Sequence, residues 1–157
     1  MSQPSVLHHS FVLERSFPVP PSRIFAAFTD PAQKRRWFVE SGHNPVEHYQ
    51  MDFRVGGTEL ARIRLGPGTP VAGMICTNEI RYLHIVPGAR IVFASTMAIG
   101  EQCISASLVT FELLPTAAGT DLIFTHQAAF FEGADGPAMR QEGWRKLMDR
   151  LSAEFAG

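Results

Sequence analysis

The chain has 157 residues, 45% of them hydrophobic and 18% charged, with a formal net charge of −1. This is the composition of an ordinary globular protein, and a single domain of this size buries roughly two thirds of the surface its unfolded chain exposes. The near-neutral charge argues against a polyanion-binding surface, no apolar run reaches the roughly 18 residues that span a bilayer, and the N-terminus MSQPSVLHHSF lacks the charged start and apolar core of a signal peptide.

The cytoplasm is therefore the expected location, with neither nucleic acid nor membrane as partner. Cys76 and Cys103, both in strand-like segments, are expected to be reduced there. Residues 1 to 7 read as a flexible tail and 8 to 157 as one domain.

His8 to Phe17 alternates as a first strand, with Phe11, Leu13 and Phe17 on one face. Pro18, Pro20 and Pro21 end it and open a short helix over Ser22 to Phe28, because proline blocks a strand but suits a helix's first turn. Asp30 then caps a second short helix with Pro31 at its first position. This helix, Ala32 to Phe38, is expected to carry Lys34, Arg35 and Arg36 outward, a basic run too short for a nucleic-acid or membrane site.

From Val46 the pattern becomes strand after strand. Val46 to the Gly56-Gly57 turn, Thr58 to Leu65, Val71 to Leu83, Arg90 to Ile99, Cys103 to Leu114 and Thr120 to Ala129 are separated by glycine and proline turns. Phe93 and Ile99 stand among small residues, a composition that would permit edge pairing or a homodimer through that strand. A flexible loop with Gly133 and Gly136 leads to an amphipathic helix over Glu142 to Phe155. Trp144, Leu147, Met148, Leu151 and Phe155 form its apolar stripe, and the regular helix is free to start on either side of Gly143. Consecutive strands with short turns imply an antiparallel meander, whose concave side is the surface large enough for this helix.

That order, with Phe17-Pro18-Val19-Pro20 leading into Ile24-Phe25 and Phe28-Thr29-Asp30-Pro31 followed by Trp37-Phe38, resembles the START/Bet v 1-like (SRPBCC, polyketide cyclase-like) superfamily. Asp52 to Gly57, the Gly119-Thr120 turn with Leu122 and His126, and Gly143-Trp144 with Leu147 and Leu151 are similar to the family of the C-terminal domain of the activator of Hsp90 ATPase (AHSA1-like). The resemblance runs from about residue 10 to 155. It implies an α+β helix-grip fold: a curved antiparallel sheet of about six or seven strands around a long C-terminal helix, with two short helices after the first strand and a cavity between. It covers one domain only, without the additional N-terminal segment of the eukaryotic Hsp90 activators, which weighs against direct Hsp90 stimulation.

The sequence contains no H-E-x-x-H, G-x-S-x-G, Walker-type or G-x-G-x-x-G motif, and Gly66-Pro67-Gly68 reads as a hairpin turn. His8 and His9 point to opposite faces of a strand, and His43 and His48 lack the spacing of a metal site, so no metal and no cofactor are expected. His126 falls on the apolar face of the last strand and is the weak catalytic candidate, either a buried hydrogen-bonded histidine or a cavity group that orients a ligand or moves a proton.

Arg62 and Arg64 are expected to face outward, the alternative being a guanidinium at the cavity mouth. Glu59 and Glu79 are ambiguous, and one of Glu14 and Arg15 should face the helix. The expected cavity lining is Trp37, Phe38, Phe53, Met74, Phe93, Met97, Phe111, Phe124, His126, Trp144 and Met148. Polar groups such as Asn78, Ser105 and Ser107 would be interspersed.

Three readings follow. The first is a binding protein for a small apolar or aromatic molecule. The second is a cyclase- or aromatase-like enzyme acting on a polyketide-like substrate, with His126 moving protons. The third is a co-chaperone-like contact with Hsp90.

Overall fold

In the computed structural model, which describes residues 5–40 and 42–156, seven strands form one antiparallel sheet with three helices. The elements are β1 (Leu7–Phe17), α1 (Pro21–Thr29), α2 (Pro31–Lys34) with a π-helical turn over Arg35–Val39, β2 (Val46–Met51), β3 (Thr58–Arg64), β4 (Ile75–Val86), β5 (Arg90–Ile99), β6 (Gln102–Pro115), β7 (Thr120–Phe130) and α3 (Pro137–Ala153). The spatial order is β1-β7-β6-β5-β4-β3-β2: six strands run as a meander and the first strand closes against the last. The segment from β1 to β2, with both short helices, therefore crosses from one edge of the sheet to the other.

The sheet is curved, and register breaks contribute to the bending. Leu83 is an extra residue on β4, where Tyr82 pairs with Phe93 but His84 with Val92. Ile104 is an extra residue on β6, where Ser105 pairs with Met97 but Cys103 with Ala98. Both Ile104 and Ser105 are consequently buried.

Period-2 alternation puts Phe11, Leu13 and Phe17 of β1, Ile80 and Tyr82 of β4, Phe111 and Leu113 of β6, and Leu122 and Phe124 of β7 into one core. Trp144, Met148 and Leu151 of α3 join them, so the terminal helix lies on the inner face of the sheet. α1 contributes Ile24, Ala27 and Phe28, while the Trp37 indole N–H donates to the Ala27 carbonyl at 2.9 Å and ties the two short helices together.

Several local expectations change. The tail expected over residues 1 to 7 lies, for residues 1–4, outside the described residues, and Leu7 already pairs with Phe130. β2 ends at Met51 rather than Gly57, because the chain turns over Asp52 to Gly57; a side chain on Gly57 would collide with the Asp52 carbonyl. Val71 to Met74 form a turn, so β4 begins at Ile75.

α3 starts five residues early, at Pro137. Gly136 precedes it with φ of 90°, a left-handed conformation that glycine adopts without penalty. Pairing through Arg90 to Ile99 is not available, because β5 is flanked by β4 and β6. Both cysteines are free.

Candidate functional site

The sheet does not cover the whole inner side of α3. The stripe carrying Trp144, Met148 and Leu151 packs fully into the core. Beside that stripe, along the helix face from Met139 to Arg150, sheet and helix leave a cleft of about 520 Å³. Its walls are Phe38 and Val39 from the π turn, Ala61 and Ile63 from β3 with Leu65 just after it, Cys76 and Asn78 from β4, Met97 from β5, and the α3 face carrying Met139, Arg140, Gly143, Trp144, Leu147 and Arg150. Asn44 and Asp135 complete the rim. Three other surface depressions are smaller, at about 330–370 Å³.

The π turn shapes one wall. Trp37, Phe38 and Val39 are all buried in succession, which an α-helical turn on a surface does not normally permit. Trp37 enters the core while Phe38 and Val39 border the cleft.

Lys34, expected to point outward, is instead 2% exposed. Its Nζ donates to Glu59 Oε1 at 3.0 Å and lies 4.4 Å from the Phe38 ring centre. Glu59, 1% exposed, also accepts from the Tyr49 hydroxyl at 3.1 Å and from the Tyr82 hydroxyl. Burial, with the Glu59 carboxylate adding to it, pushes both phenols above their ordinary pKa. The outward reading fails because Glu59 sits at an inward-facing position of β3, beside Ala61, and needs a cation inside.

At the other end of the cleft Arg140 is buried. Its guanidinium takes Asp135 in a two-point contact at 2.9 and 2.8 Å, donates to Ser105 Oγ at 2.9 Å and lies over Phe130. Asn78 accepts from Ser95 Oγ at 2.7 Å. Burial holds the Cys76 thiol above its usual range.

Of the eleven residues expected to line the cavity, Phe38, Met97 and Trp144 border the cleft. Trp37, Phe93, Phe111, Phe124 and Met148 are packed in the core, because the rings of Phe111, Phe124 and Trp144 lie 4.5–6.1 Å from one another and leave no opening. Phe53 packs edge-on against Phe25 and Tyr82, and Met74 is 41% exposed in its turn.

His126 is 2% exposed and does not line the cleft. Its ring stacks on Phe11 at 4.8 Å, its Nδ1 has no hydrogen-bond partner, and burial, helped by the Arg140 charge, depresses its pKa to about 4. It is thus neutral across the physiological range. Arg62, Arg64 and Glu79 face solvent. Arg15 is the member of its pair that faces the helix, meeting Asp149 at 3.3 Å.

Sequence reasoning missed Arg140, Asp135, Gly143 and Arg150. The helical spacing of Met139, Gly143, Leu147 and Arg150 carried the signal, obscured because α3 was begun at Glu142. Among the described residues no three His, Cys, Asp or Glu side chains converge as a metal site, and no helix is long and apolar enough to cross a membrane.

A curved meander enclosing a terminal helix, with a cleft between them, defines a helix-grip protein. The family model for the activator of Hsp90 ATPase homolog 1-like proteins matches residues 18–156, and the chain belongs to that family. It is similar to Mll3558 from Rhizobium loti, at 44% identity and TM-score 0.85 over 96% of this chain and 99% of that one. A protein from Rhizobium leguminosarum is 36% identical with TM-score 0.87, covering 95% of each chain. DynU16, from the dynemicin biosynthetic locus, shares the fold at 21% identity and TM-score 0.61, over 92% of this chain and 46% of that one. No curated protein matches the chain.

Proposed function

We propose that this protein binds a small, largely apolar molecule in the cleft between the sheet and α3. The observation that carries the reading is the cleft itself: about 520 Å³, within the roughly 300–1,000 Å³ of small-molecule sites, walled by aliphatic and aromatic side chains with a few fixed polar groups. An enzyme of the cyclase kind needs a proton-transfer group within reach of the substrate, and His126 is enclosed by Phe11, Phe124 and Trp144 instead. The size and lining of the cleft support a small molecule as its occupant.

Native mass spectrometry of protein purified from its own host tests this. A co-purifying small molecule is expected, and it should be lost from Gly143→Phe, which fills the cleft from the helix side. A wild-type protein that carries no such molecule and binds no hydrophobic fluorophore, or a Gly143→Phe variant that retains its ligand, would overturn the reading.

A further inference from the structure

The end of the cleft where α3 meets the π turn holds an unbalanced charge. Arg35 pairs with Glu40 at 3.2 Å, and Arg36 grips Glu154 through Nε and Nη2 at 3.2 and 3.1 Å. Both carboxylates are thereby taken. Arg150, the third cation of this group, donates from Nη2 to the Arg36 carbonyl at 2.8 Å and has no carboxylate partner among the described residues. Its side chain lines the cleft. Partial burial disfavours its charge, with Glu40 opposing that effect only from a distance. Arg150 keeps donors beyond the one on the Arg36 carbonyl, and a guanidinium with a carboxylate-shaped fork matches one negative charge.

A second feature on the same helix face fixes what the rest of the ligand must be. Gly143 lies inside α3, where glycine is less favourable than alanine. No positive φ demands it, and beyond the backbone of its own helix turns and its chain neighbours an added methyl would meet no atom within 4 Å. Gly143 is exposed and lines the cleft, and the glycine leaves a notch in that helical wall between Met139 and Leu147. Gly143, Leu147 and Arg150 stand at i, i+4 and i+7, on one line along the helix. At 1.5 Å per residue the backbone positions of Gly143 and Arg150 are about 10 Å apart along the axis. The opposite end offers no competing cation, because Arg140 is already neutralised by Asp135.

Resting on the ligand-binding reading above, we propose that the cleft selects an amphipathic monocarboxylate of medium length. Its carboxylate meets Arg150, and its apolar body crosses Leu147 to end in the notch at Gly143.

The test is a calorimetric titration with octanoate and with octanol, a neutral molecule of the same length. Wild-type protein, Arg150→Gln and Gly143→Leu are compared, each first shown to be folded by circular dichroism. The glutamine amide ends two bonds short of the Arg150 Nη2 position, so this variant removes the charge together with the bond to the Arg36 carbonyl, and its octanol affinity controls for the lost bond. Wild-type protein is expected to bind octanoate at least tenfold more tightly than octanol. Arg150→Gln should abolish that preference while leaving octanol affinity within twofold, and Gly143→Leu should weaken both at least tenfold. Equal affinity of wild type for both molecules, or unchanged octanoate binding in Arg150→Gln, overturns the carboxylate assignment and leaves the cleft a ligand site. Unchanged binding in Gly143→Leu overturns the placement of the body. Failure of both molecules to bind wild type overturns the proposal, and the native mass spectrum then decides the broader reading separately.

Discussion

Replacing Lys34 with methionine isolates the energetics of the buried ion pair. The substitution keeps most of the apolar stem against Phe28, Trp37 and Phe38 and removes the ammonium that sits 3.0 Å from Glu59. Glu59 would then be a carboxylate at 1% exposure with only the two tyrosine hydroxyls as donors. Stranding one member of a buried pair costs about 3–5 kcal/mol, and loss of the cation over the Phe38 ring adds about 0.5–2 kcal/mol. Urea denaturation at pH 7, extrapolated linearly, should therefore show Lys34→Met destabilised by at least about 3 kcal/mol with an unchanged slope. Lys34→Met combined with Glu59→Gln should recover much of the loss, because the double variant leaves no unpaired charge, so the two single effects will not add. A Lys34→Met cost below about 1 kcal/mol, or strict additivity, would refute the reasoning.

The remaining expectations concern the face between sheet and helix. His126 has a folded pKa of about 4 against the ordinary 6.5, so the unfolded chain takes up its proton first as pH falls. The stability it contributes is present above pH 6.5 and lost between 6.5 and 4, by up to about 3 kcal/mol at 1.36 kcal/mol per unit. Arg140, Asp135 and His9 are the charged or titratable groups acting on it. Chemical denaturation across that window checks this, His126→Phe should flatten the slope, and an NMR titration giving His126 a pKa near 6.5 would contradict it. Trp144→Ala should cost about 3–5 kcal/mol in urea, since its ring packs against Phe38, Phe111, Phe124 and His126 and is 8% exposed. Gly143→Ala should stabilise the ligand-free protein by about 0.5–1 kcal/mol in the same assay. A destabilised Gly143→Ala would mean that the space beside the helix is not open.

The architecture was legible because it rests on periodicity and punctuation. Alternation in Cys103 to Leu114 and Thr120 to Ala129, with glycine and proline between the strands, led to β6 and β7 nearly residue for residue. The boundaries that moved are those where turn chemistry outweighs pattern: Asp52 to Gly57 has the apolar content of a strand but bends, and Gly136-Pro137 was read as loop although proline is also a helix opener. The cleft was less legible. Aromatic content located the sheet–helix interface, but which rings pack and which border space depends on how far α3 stands from the sheet. Lys34 was misread because a three-residue basic run has no distinguishing period. Its burial follows from Glu59, 25 residues away, at an inward position of another element.

The buried ion pair and the cleft are two sides of one piece of chain. Lys34 immediately precedes the π turn, and Phe38, whose face carries the Lys34 ammonium, is also a cleft wall. Glu154 and Arg150 hold the same turn from outside, through the Arg36 side chain and the Arg36 carbonyl. The wider π geometry that buries three residues in succession is thus held from inside by Glu59 and from outside by α3. The packed stripe of α3, with Trp144, Met148 and Leu151, keeps the helix on the sheet, so the neighbouring helix face can border an open cleft without the helix leaving it. A fold that also filled that face would gain apolar contact near Gly143 and lose the cleft. In this chain that contact is forgone at Gly143, which exposes helix backbone to the cleft although alanine would fit.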